Sequence, residues 1–173
     1  MAFFTARELK DMGNDGQIIR LSQSHTKSFS IAKVKVFLAH SHVETDYNNA
    51  AKNILAAAGA DIYVDTEDTE MPSATSPETA RLLKEKIRAR DRFVLLASEL
   101  SLQSKWVPWE LGYADAVKTP TKIAILPFIS TGPGWKGTEY VGLYSTIQPI
   151  NGRAGVISPN STVASQLSTW LSS

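Results

Sequence analysis

The sequence predicts an α/β protein in which a five-stranded parallel sheet is covered by helices on both faces. Two observations support this prediction. Short, almost entirely apolar segments alternate about five times with longer segments whose apolar residues recur every three or four positions. The apolar segments also lack the alternation of a half-exposed strand, which indicates strands buried on both faces. Sheets of this kind bind ligands at the carboxyl ends of their strands, where the strand order reverses.

The N-terminal 33 residues differ from the rest of the chain. Residues 6–12 are predicted to form a short helix that ends at Gly13, and a passage rich in Ser, Gln and Asn follows. We therefore predict an N-terminal arm or linker at residues 1–33 and one folded domain at residues 34–173. A domain of this length can bury a hydrophobic core of its own.

The first half of the predicted domain contains two strands and two helices. Residues 34–39, VKVFLA, are β-branched and aromatic and form the first strand. Residues 44–58 carry apolar side chains at helical spacing, and a glycine ends this helix. Residues 62–64 form the second strand. After a polar passage, a helix covers residues 77–90 and begins with a proline, which is favoured in the first turn.

The second half continues the alternation. Residues 92–97, RFVLLA, form the third strand, and a helix that ends near residue 117 follows. Residues 122–128, KIAILPF, form the fourth strand, and a Gly- and Pro-rich loop separates it from a fifth strand at residues 145–150. The last predicted helix covers residues 161–171.

Composition and charge exclude several classes of function. The formal net charge of +1 gives no long-range attraction to nucleic acid or to anionic membranes. The chain has no cysteine, which excludes disulfides and thiolate chemistry and fits a reducing compartment. No stretch approaches the ~20 apolar residues of a membrane-spanning helix, and the first residues lack the pattern of a signal peptide. We expect a cytoplasmic protein that binds neither nucleic acid nor membranes.

Two motifs have ordinary explanations. Residues 132–137, GPGWKG, match G-x-G-x-x-G, but the proline removes an amide donor and no helical pattern follows, so we interpret them as a loop. The sequence around Asp65, Glu67, Asp68 and Glu70 lacks the glycine and the terminal glutamate of a calcium loop, which favours a solvated loop. We predict no metal site, but Asp65 is of interest because it lies at the end of a strand.

His40, Ser41 and His42 follow directly on the first predicted strand. Two histidines at this spacing can face one way, but a zinc ion requires further ligands. A serine hydrolase would require a G-x-S-x-G elbow, which is missing here. The residues alone leave two interpretations open, a polar strand end or a group that faces the ligand crevice.

Residues 104–116, SKWVPWELGYADA, combine aromatic side chains with one carboxylate. Pro108 fits the first turn of a helix, which places Glu110 near the positive end of the helix dipole. In one interpretation Glu110 compensates that dipole, and Trp106 and Trp109 belong to the core. In the other, Trp106 and Glu110 share one face of the helix and form a site for a cationic substrate or a developing oxocarbenium ion. The residues alone leave both open.

Four segments, taken in order, resemble a Toll/interleukin-1 receptor (TIR) domain. They are VKVFLAHS, GADIYVDTED, MP and RDRFVLLASELSLQSKWVPWELGYA. The resemblance covers residues 34–128, with a looser continuation to the C-terminus. It implies a flavodoxin-like three-layer fold with an acidic "BB loop" near residues 66–77. The short architecture is similar to stand-alone prokaryotic NAD-cleaving TIR proteins of anti-phage, Thoeris-like defence.

The resemblance implies an NAD⁺ nucleosidase that cleaves the nicotinamide–ribose bond, with NAD⁺ as substrate and no cofactor. The W-x-x-x-E pattern of catalytic TIR domains matches Trp106 and Glu110, which makes Glu110 the implied catalytic residue. Signalling adaptors of the family generally lack this glutamate, so its presence favours an enzyme. The implied substrate-binding residues are Trp106, Tyr63, Asp65, His40, Ser41 and His42.

The resemblance also bears on products and partners. The product would be ADP-ribose or a cyclic ADP-ribose isomer, and a cyclic product would activate a downstream effector. Packing of adjacent TIR domains would complete the active site, with acids of the BB loop reaching Lys118 or Lys122 of a neighbouring copy. Three alternatives remain: a non-catalytic TIR interaction module, a nucleoside 2-deoxyribosyltransferase-like enzyme, and a flavodoxin or response-regulator relative.

Overall fold

The structure is a computed structural model that describes residues 3–25, 33–72, 76–129 and 142–173, so the GPGWKG loop lies outside the described residues. The strands are β1 (Phe4–Thr5), β2 (Val34–Ala39), β3 (Ala60–Tyr63), β4 (Arg92–Ala97), β5 (Ile123–Ile129), β6 (Ser145–Ile150), β7 (Arg153–Ile157) and β8 (Ala164–Gln166). The helices are α1 (Ala6–His25), α2 (Thr45–Ala57), α3 (Pro77–Arg88), α4 (Glu99–Gln103), α5 (Trp106–Val117) and α6 (Leu167–Ser172). No helix in these ranges is both long and apolar enough to cross a membrane.

The sheet has the strand order β3-β2-β4-β5-β6-β7-β8, and β1 pairs with the end of β5. All neighbours from β3 to β6 are parallel, so the five predicted strands are present and form the predicted parallel sheet. The predicted number of strands is nevertheless too low, because β1, β7 and β8 extend the sheet. The strand order reverses between β2 and β4, which opens a crevice at the carboxyl ends of these two strands.

Helices cover both faces of the sheet, which confirms the three-layer fold. Val36 and Leu38 of β2 point into a core that is closed by α1, α2 and α6. Phe37 and Ala39 point to the opposite face, where α3 and α5 close a second core. Successive residues of β2 therefore serve different layers, as the two-residue period of a strand requires.

Helix α1 is longer than the sequence suggests, and the prediction that it ends at Gly13 is wrong. A Cβ atom on Gly13 would lie 2.6 Å from the Cα of Ala50 in α2, and one on Gly16 would lie 2.8 Å from the carbonyl oxygen of Asn53. These glycines therefore allow α1 to pack closely on α2 and do not end the helix. The division of the chain after residue 33 stays a prediction, although α1 and β1 both contact the sheet domain.

The C-terminal part also differs from the prediction. Asn151 and Gly152, with φ angles of 49° and 75°, form a two-residue turn between β6 and the antiparallel β7. An Asn-Gly pair is the strongest short-range signal for such a hairpin, and the prediction of five strands does not include it. The helix predicted over residues 161–171 is wrong in its first half, because Ala164–Gln166 form β8 and α6 begins at Leu167.

Candidate active site

Three of the predicted site residues meet beyond the carboxyl ends of β2 and β3. The Nε2 atom of His42 lies 3.2 Å from Oδ2 of Asp65, at hydrogen-bond distance. The Nδ1 atom of His40 lies 3.8 Å from Oδ1 of Asp65, and the two imidazole rings have centroids 5.5 Å apart. Both histidines therefore contact one carboxylate, and whether this group faces a ligand stays a prediction.

The two histidines have different surroundings. His40 is buried, and this burial lowers its pKa, although Asp65 and the carbonyl of Leu38 act in the opposite direction. The Nε2 atom of His40 lies 3.4 Å from the hydroxyl of Thr66. His42 is exposed. Asp65 therefore contacts one imidazole inside the fold and one at the surface.

Glu110 lies on α5 and is only 3% exposed. Helix α5 begins at Trp106, so Pro108 lies in its first turn, as predicted, and Glu110 lies at the start of the second turn. Burial, with a smaller contribution from the charge of Asp65, raises the pKa of Glu110 to about 8. Within the described ranges, no group donates a hydrogen bond to this carboxyl. The position of Glu110 near the start of α5 does not offset this burial, so the carboxyl is mainly protonated at neutral pH in the free protein.

Glu110 interacts electrostatically with Asp65. This interaction connects helix α5 with the group formed by His40, His42 and Asp65. Asp65 follows β3, whereas Glu110 belongs to a helix that covers the sheet from the α3–α5 side. A cationic ligand at this place would favour the charged form of Glu110. The arrangement can therefore stabilise positive charge beside a carboxyl that is largely shielded from water.

Two tryptophans of α5 form an aromatic group beside Glu110. The rings of Trp106 and Trp109 meet edge to face, with centroids 5.2 Å apart. The ring of Trp109 stacks on that of Tyr113 at 6.0 Å, as the i, i+4 spacing predicts. Trp109 is half-buried and packs against the core between the sheet and helices α3 and α5. The Nζ atom of Lys84 in α3 lies 5.7 Å from its ring.

Tyr63 has partners of its own within the chain. Its hydroxyl donates a hydrogen bond of 2.6 Å to Asp68, and its ring lies 5.4 Å from that of Phe37. Burial and the neighbouring acids raise the pKa of Tyr63 well above its ordinary range. The guanidinium of Arg90 lies 4.7 Å from the ring centroid. The predicted contact of Tyr63 with substrate stays a prediction, and it would use the ring rather than the hydroxyl.

Ser41 helps to shape the loop after β2. It is buried, and its carbonyl accepts a 2.9 Å hydrogen bond from the Asn48 side chain and a longer bond from the Glu44 amide. Whether its hydroxyl contacts the substrate stays a prediction.

Sequence reasoning missed Glu44. Its Oε2 atom accepts a 2.5 Å hydrogen bond from the hydroxyl of Ser98, which follows β4. Burial raises the pKa of Glu44, and the bond from Ser98 opposes this shift. The pair joins the ends of β2 and β4, the two strands between which the strand order reverses. An acid directly before a helix was the available signal, but such an acid is ordinarily exposed.

The acids of the loop after β3 are bound by lysines of the same chain. Glu67 pairs with Lys52, and Lys86 pairs with Asp68 at 2.8 Å and with Glu70 at 3.0 Å. Hydrogen bonds from Lys86 and Tyr63 lower the pKa of Asp68 to about 2. These acids therefore hold the loop against α2 and α3.

The chain belongs to the TIR domain family, whose model matches residues 36–166. This match confirms the resemblance that the four segments indicated. Among characterised proteins, the chain is similar to the probable 3′ cyclic ADP-D-ribose synthase ThsB′ of Bacillus cereus (strain MSX-D12), with 38% identity over 113 residues. The similarity covers 63% of this chain and 58% of that protein, so the chain spans less than two thirds of the relative's length.

Proposed function

We propose that this protein cleaves the nicotinamide–ribose bond of NAD⁺ and releases nicotinamide together with ADP-ribose or a cyclic ADP-ribose isomer. The observation that carries the proposal is the buried carboxyl of Glu110, coupled to Asp65 at the crevice of a TIR fold. The name of the Bacillus cereus relative supports a cyclic product. A role in prokaryotic anti-phage defence, with the product acting on a downstream effector, is part of the same proposal.

The proposed reaction begins with loss of nicotinamide. The bond between the anomeric carbon and the ring nitrogen breaks, and its electron pair neutralises the nicotinamide ring, so no general acid is required. Positive charge then develops on the ribose, and the carboxylate of Glu110 stabilises it. Because Glu110 is mainly protonated in the free protein, the cationic substrate must favour its ionisation on binding. Trp106 and Tyr63 would enclose the substrate and exclude water.

The second step is attack on the anomeric carbon. Water gives ADP-ribose, whereas a hydroxyl or the adenine of the same substrate gives a cyclic isomer. An attacking O–H group must lose its proton, and the hydrogen-bonded pair of His42 and Asp65 would accept it. His40, which is buried, would hold Asp65 in position.

The direct test is incubation of the purified protein with NAD⁺, followed by chromatographic separation of nicotinamide, ADP-ribose and the cyclic isomers. Stoichiometric formation of nicotinamide and an ADP-ribose species is the expected result. Absence of turnover at every protein concentration would favour the alternative of a non-catalytic TIR interaction module. Transfer of a deoxyribosyl group from a deoxynucleoside, without NAD⁺ cleavage, would favour the deoxyribosyltransferase-like alternative.

We expect Trp106→Ala to reduce NAD⁺ turnover more than stability, and Trp109→Ala to do the reverse. Trp106 is proposed to contact substrate, whereas Trp109 lies between Trp106, Tyr113 and Lys84. Deleting a fully buried aromatic side chain costs about 3–5 kcal/mol, and for the half-buried Trp109 we expect roughly 2 kcal/mol. Denaturant unfolding and turnover, measured on both variants, check the ranking. The opposite ranking would mean that Trp109 is the residue that contacts substrate.

We further propose that self-association raises activity. The sequence-based suggestion that loop acids pair with Lys118 of a neighbouring copy is not supported, because the acids already bind Lys52 and Lys86 and the Nζ atom of Lys118 donates to the carbonyl of Arg90. Surface ion pairs contribute little in any case, so apolar contacts should drive association. Specific activity should rise with protein concentration while light scattering reports larger species. High, constant activity of a strict monomer would contradict this.

A further inference from the structure

The side chain of Glu44 lies directly before α2 but does not cap this helix. Glu44 occupies the N-cap position, where a side-chain oxygen ordinarily accepts a hydrogen bond from the first turn, and the described part of the chain has no such bond. The Oε2 atom instead accepts a 2.5 Å hydrogen bond from the hydroxyl of Ser98, 54 positions further along the chain. Both residues are buried. The carboxyl therefore bonds to a distant segment and not to its own helix.

The backbone of Glu44 is bonded to the loop that carries the two histidines of the candidate site. Its amide donates to the carbonyl of Ser41 at 3.3 Å, and the side chain of Asn48 donates to the same carbonyl at 2.9 Å. Ser41 separates the two histidines that contact Asp65. A displacement of Glu44 would therefore move the backbone between these histidines.

The partner of Glu44, Ser98, belongs to the segment that leads to Glu110. Ser98 follows β4 directly, and its hydroxyl also accepts a 3.0 Å hydrogen bond from the amide of Ser101 in α4. After α4, the hydroxyl of Ser104 accepts a 3.2 Å bond from the amide of Trp106, the first residue of α5. The hydroxyl of Ser98 therefore joins the loop after β2 to the segment that positions α5.

This bond lies where the strand order reverses. Backbone pairing joins β2 to β4 as far as the pair of Ala39 and Leu95, and the bond between Ser98 and Glu44 joins the two segments beyond that pair. The Oε1 atom of Glu44 is buried and has no hydrogen-bond partner within the described residues. A buried acceptor without a donor lowers stability, so stability alone does not explain a carboxyl at this position. Such departures from local rules are expected at functional sites.

We propose that Glu44 is a positioning residue of the candidate active site. Through its bond with Ser98, it holds the loop after β2 in a fixed position relative to the segment that carries Glu110. It thereby keeps the pair of His42 and Asp65 within reach of a substrate bound at Glu110. This inference rests on the proposed NAD⁺ cleavage. Because the pair acts as the proton acceptor in the second step, misalignment should lower kcat more than it raises KM.

The first test compares Ser98→Ala with Ser101→Ala. Each substitution removes one half of the capping box of α4, but only Ser98→Ala also removes the bond to Glu44. We expect Ser98→Ala to lower kcat about tenfold and to change KM less than about threefold, whereas Ser101→Ala should keep kcat within about twofold. Equal kcat values for the two folded variants would overturn the proposal.

Substitutions of Glu44 provide a second matched pair. Glu44→Gln keeps an oxygen that can accept from Ser98 and should retain kcat. Glu44→Leu has a similar volume but no acceptor, and it should lower kcat about tenfold. Combining Glu44→Leu with Ser98→Ala should lower kcat no further than either change alone, because both remove the same bond. Equal losses in the Gln and Leu variants, or additive losses in the double variant, would contradict the proposal.

A measurement without NAD⁺ separates this inference from the proposed reaction. The chain has three histidines, so the imidazole resonances of ¹⁵N-labelled protein can be assigned with His25→Gln and His42→Gln. Ser98→Ala should shift the resonances of His40 and His42, and Ser101→Ala should leave them in place. If the unaltered protein does not cleave NAD⁺, the proposed function fails, and shifts in Ser98→Ala still support the positioning by Glu44. Unchanged resonances in Ser98→Ala would overturn it even in an active enzyme.

Discussion

Glu110→Gln is expected to keep the fold and to lose NAD⁺ cleavage by roughly 10²-fold or more. Glutamine has nearly the same shape as the protonated carboxyl that the free protein contains, so packing around α5 should be preserved. It cannot become negative, however, and so cannot stabilise the positive charge that develops on the ribose. Nicotinamide release, measured in single-turnover and steady-state assays, checks this expectation.

The matched control for this variant is Glu85→Gln, which makes the same change at an exposed position of α3 and should retain activity. In the unaltered protein, kcat/KM should rise with pH up to about 8, because it reports the ionisation of Glu110 in the free enzyme. Near-normal turnover by a folded Glu110→Gln protein would rule out the proposed mechanism, even if another residue proved to be essential.

The second large effect concerns stability. The pKa of Glu110 is about 8 in the folded chain, against 4.5 for an unperturbed glutamate. Between these two values the folded state binds more protons than the unfolded state, so this carboxyl lowers the free energy of unfolding as the pH rises from 4.5 to about 8. Above the pKa of Glu110 in the folded state, the free energy of unfolding is lower by the full amount, roughly 3–5 kcal/mol. Below the pKa of Glu110 in the unfolded state, it is not lowered at all.

Glu110→Gln removes this dependence, because the amide does not titrate. The variant should match the unaltered protein near pH 5 and exceed its stability by roughly 3–5 kcal/mol near pH 9. Urea unfolding at several pH values measures the difference, and Asp61→Asn, at an exposed position of β3, serves as the surface control. A constant difference between the Gln variant and the unaltered protein would show that Glu110 titrates near its ordinary pKa.

The fold was predictable wherever the sequence has a regular period. Strands β2, β4 and β5 are nearly continuous apolar segments, and their alternation with helical segments predicted a parallel sheet. The length of α1 was not predictable by the same reasoning, because a glycine that ends a helix and one that lets two helices approach look alike in sequence. Gly13 lets α1 approach α2, and this role is visible only from the position of Ala50 in the folded chain.

The candidate site was predictable in its residues but not in its chemistry. Strand ends identified His40, His42 and Asp65, and helical spacing placed Trp106 and Glu110 on one face. The charge state of Glu110 was not accessible, because it depends on burial by side chains from other elements. The sequence also gave no indication that the loop acids would be paired within the chain.

The close packing of α1 on α2 decides which surfaces one copy can offer to another. Of the 13 residues of α2, only Thr45, Asp46 and Asn49 are exposed, all near its start. The N-terminal segment of the chain therefore covers part of this helix, and a contact between copies, if formed, would use another surface. Removing α1 would expose apolar residues along α2. The shortened chain would then have an exposed apolar surface that promotes association, which the intact chain covers.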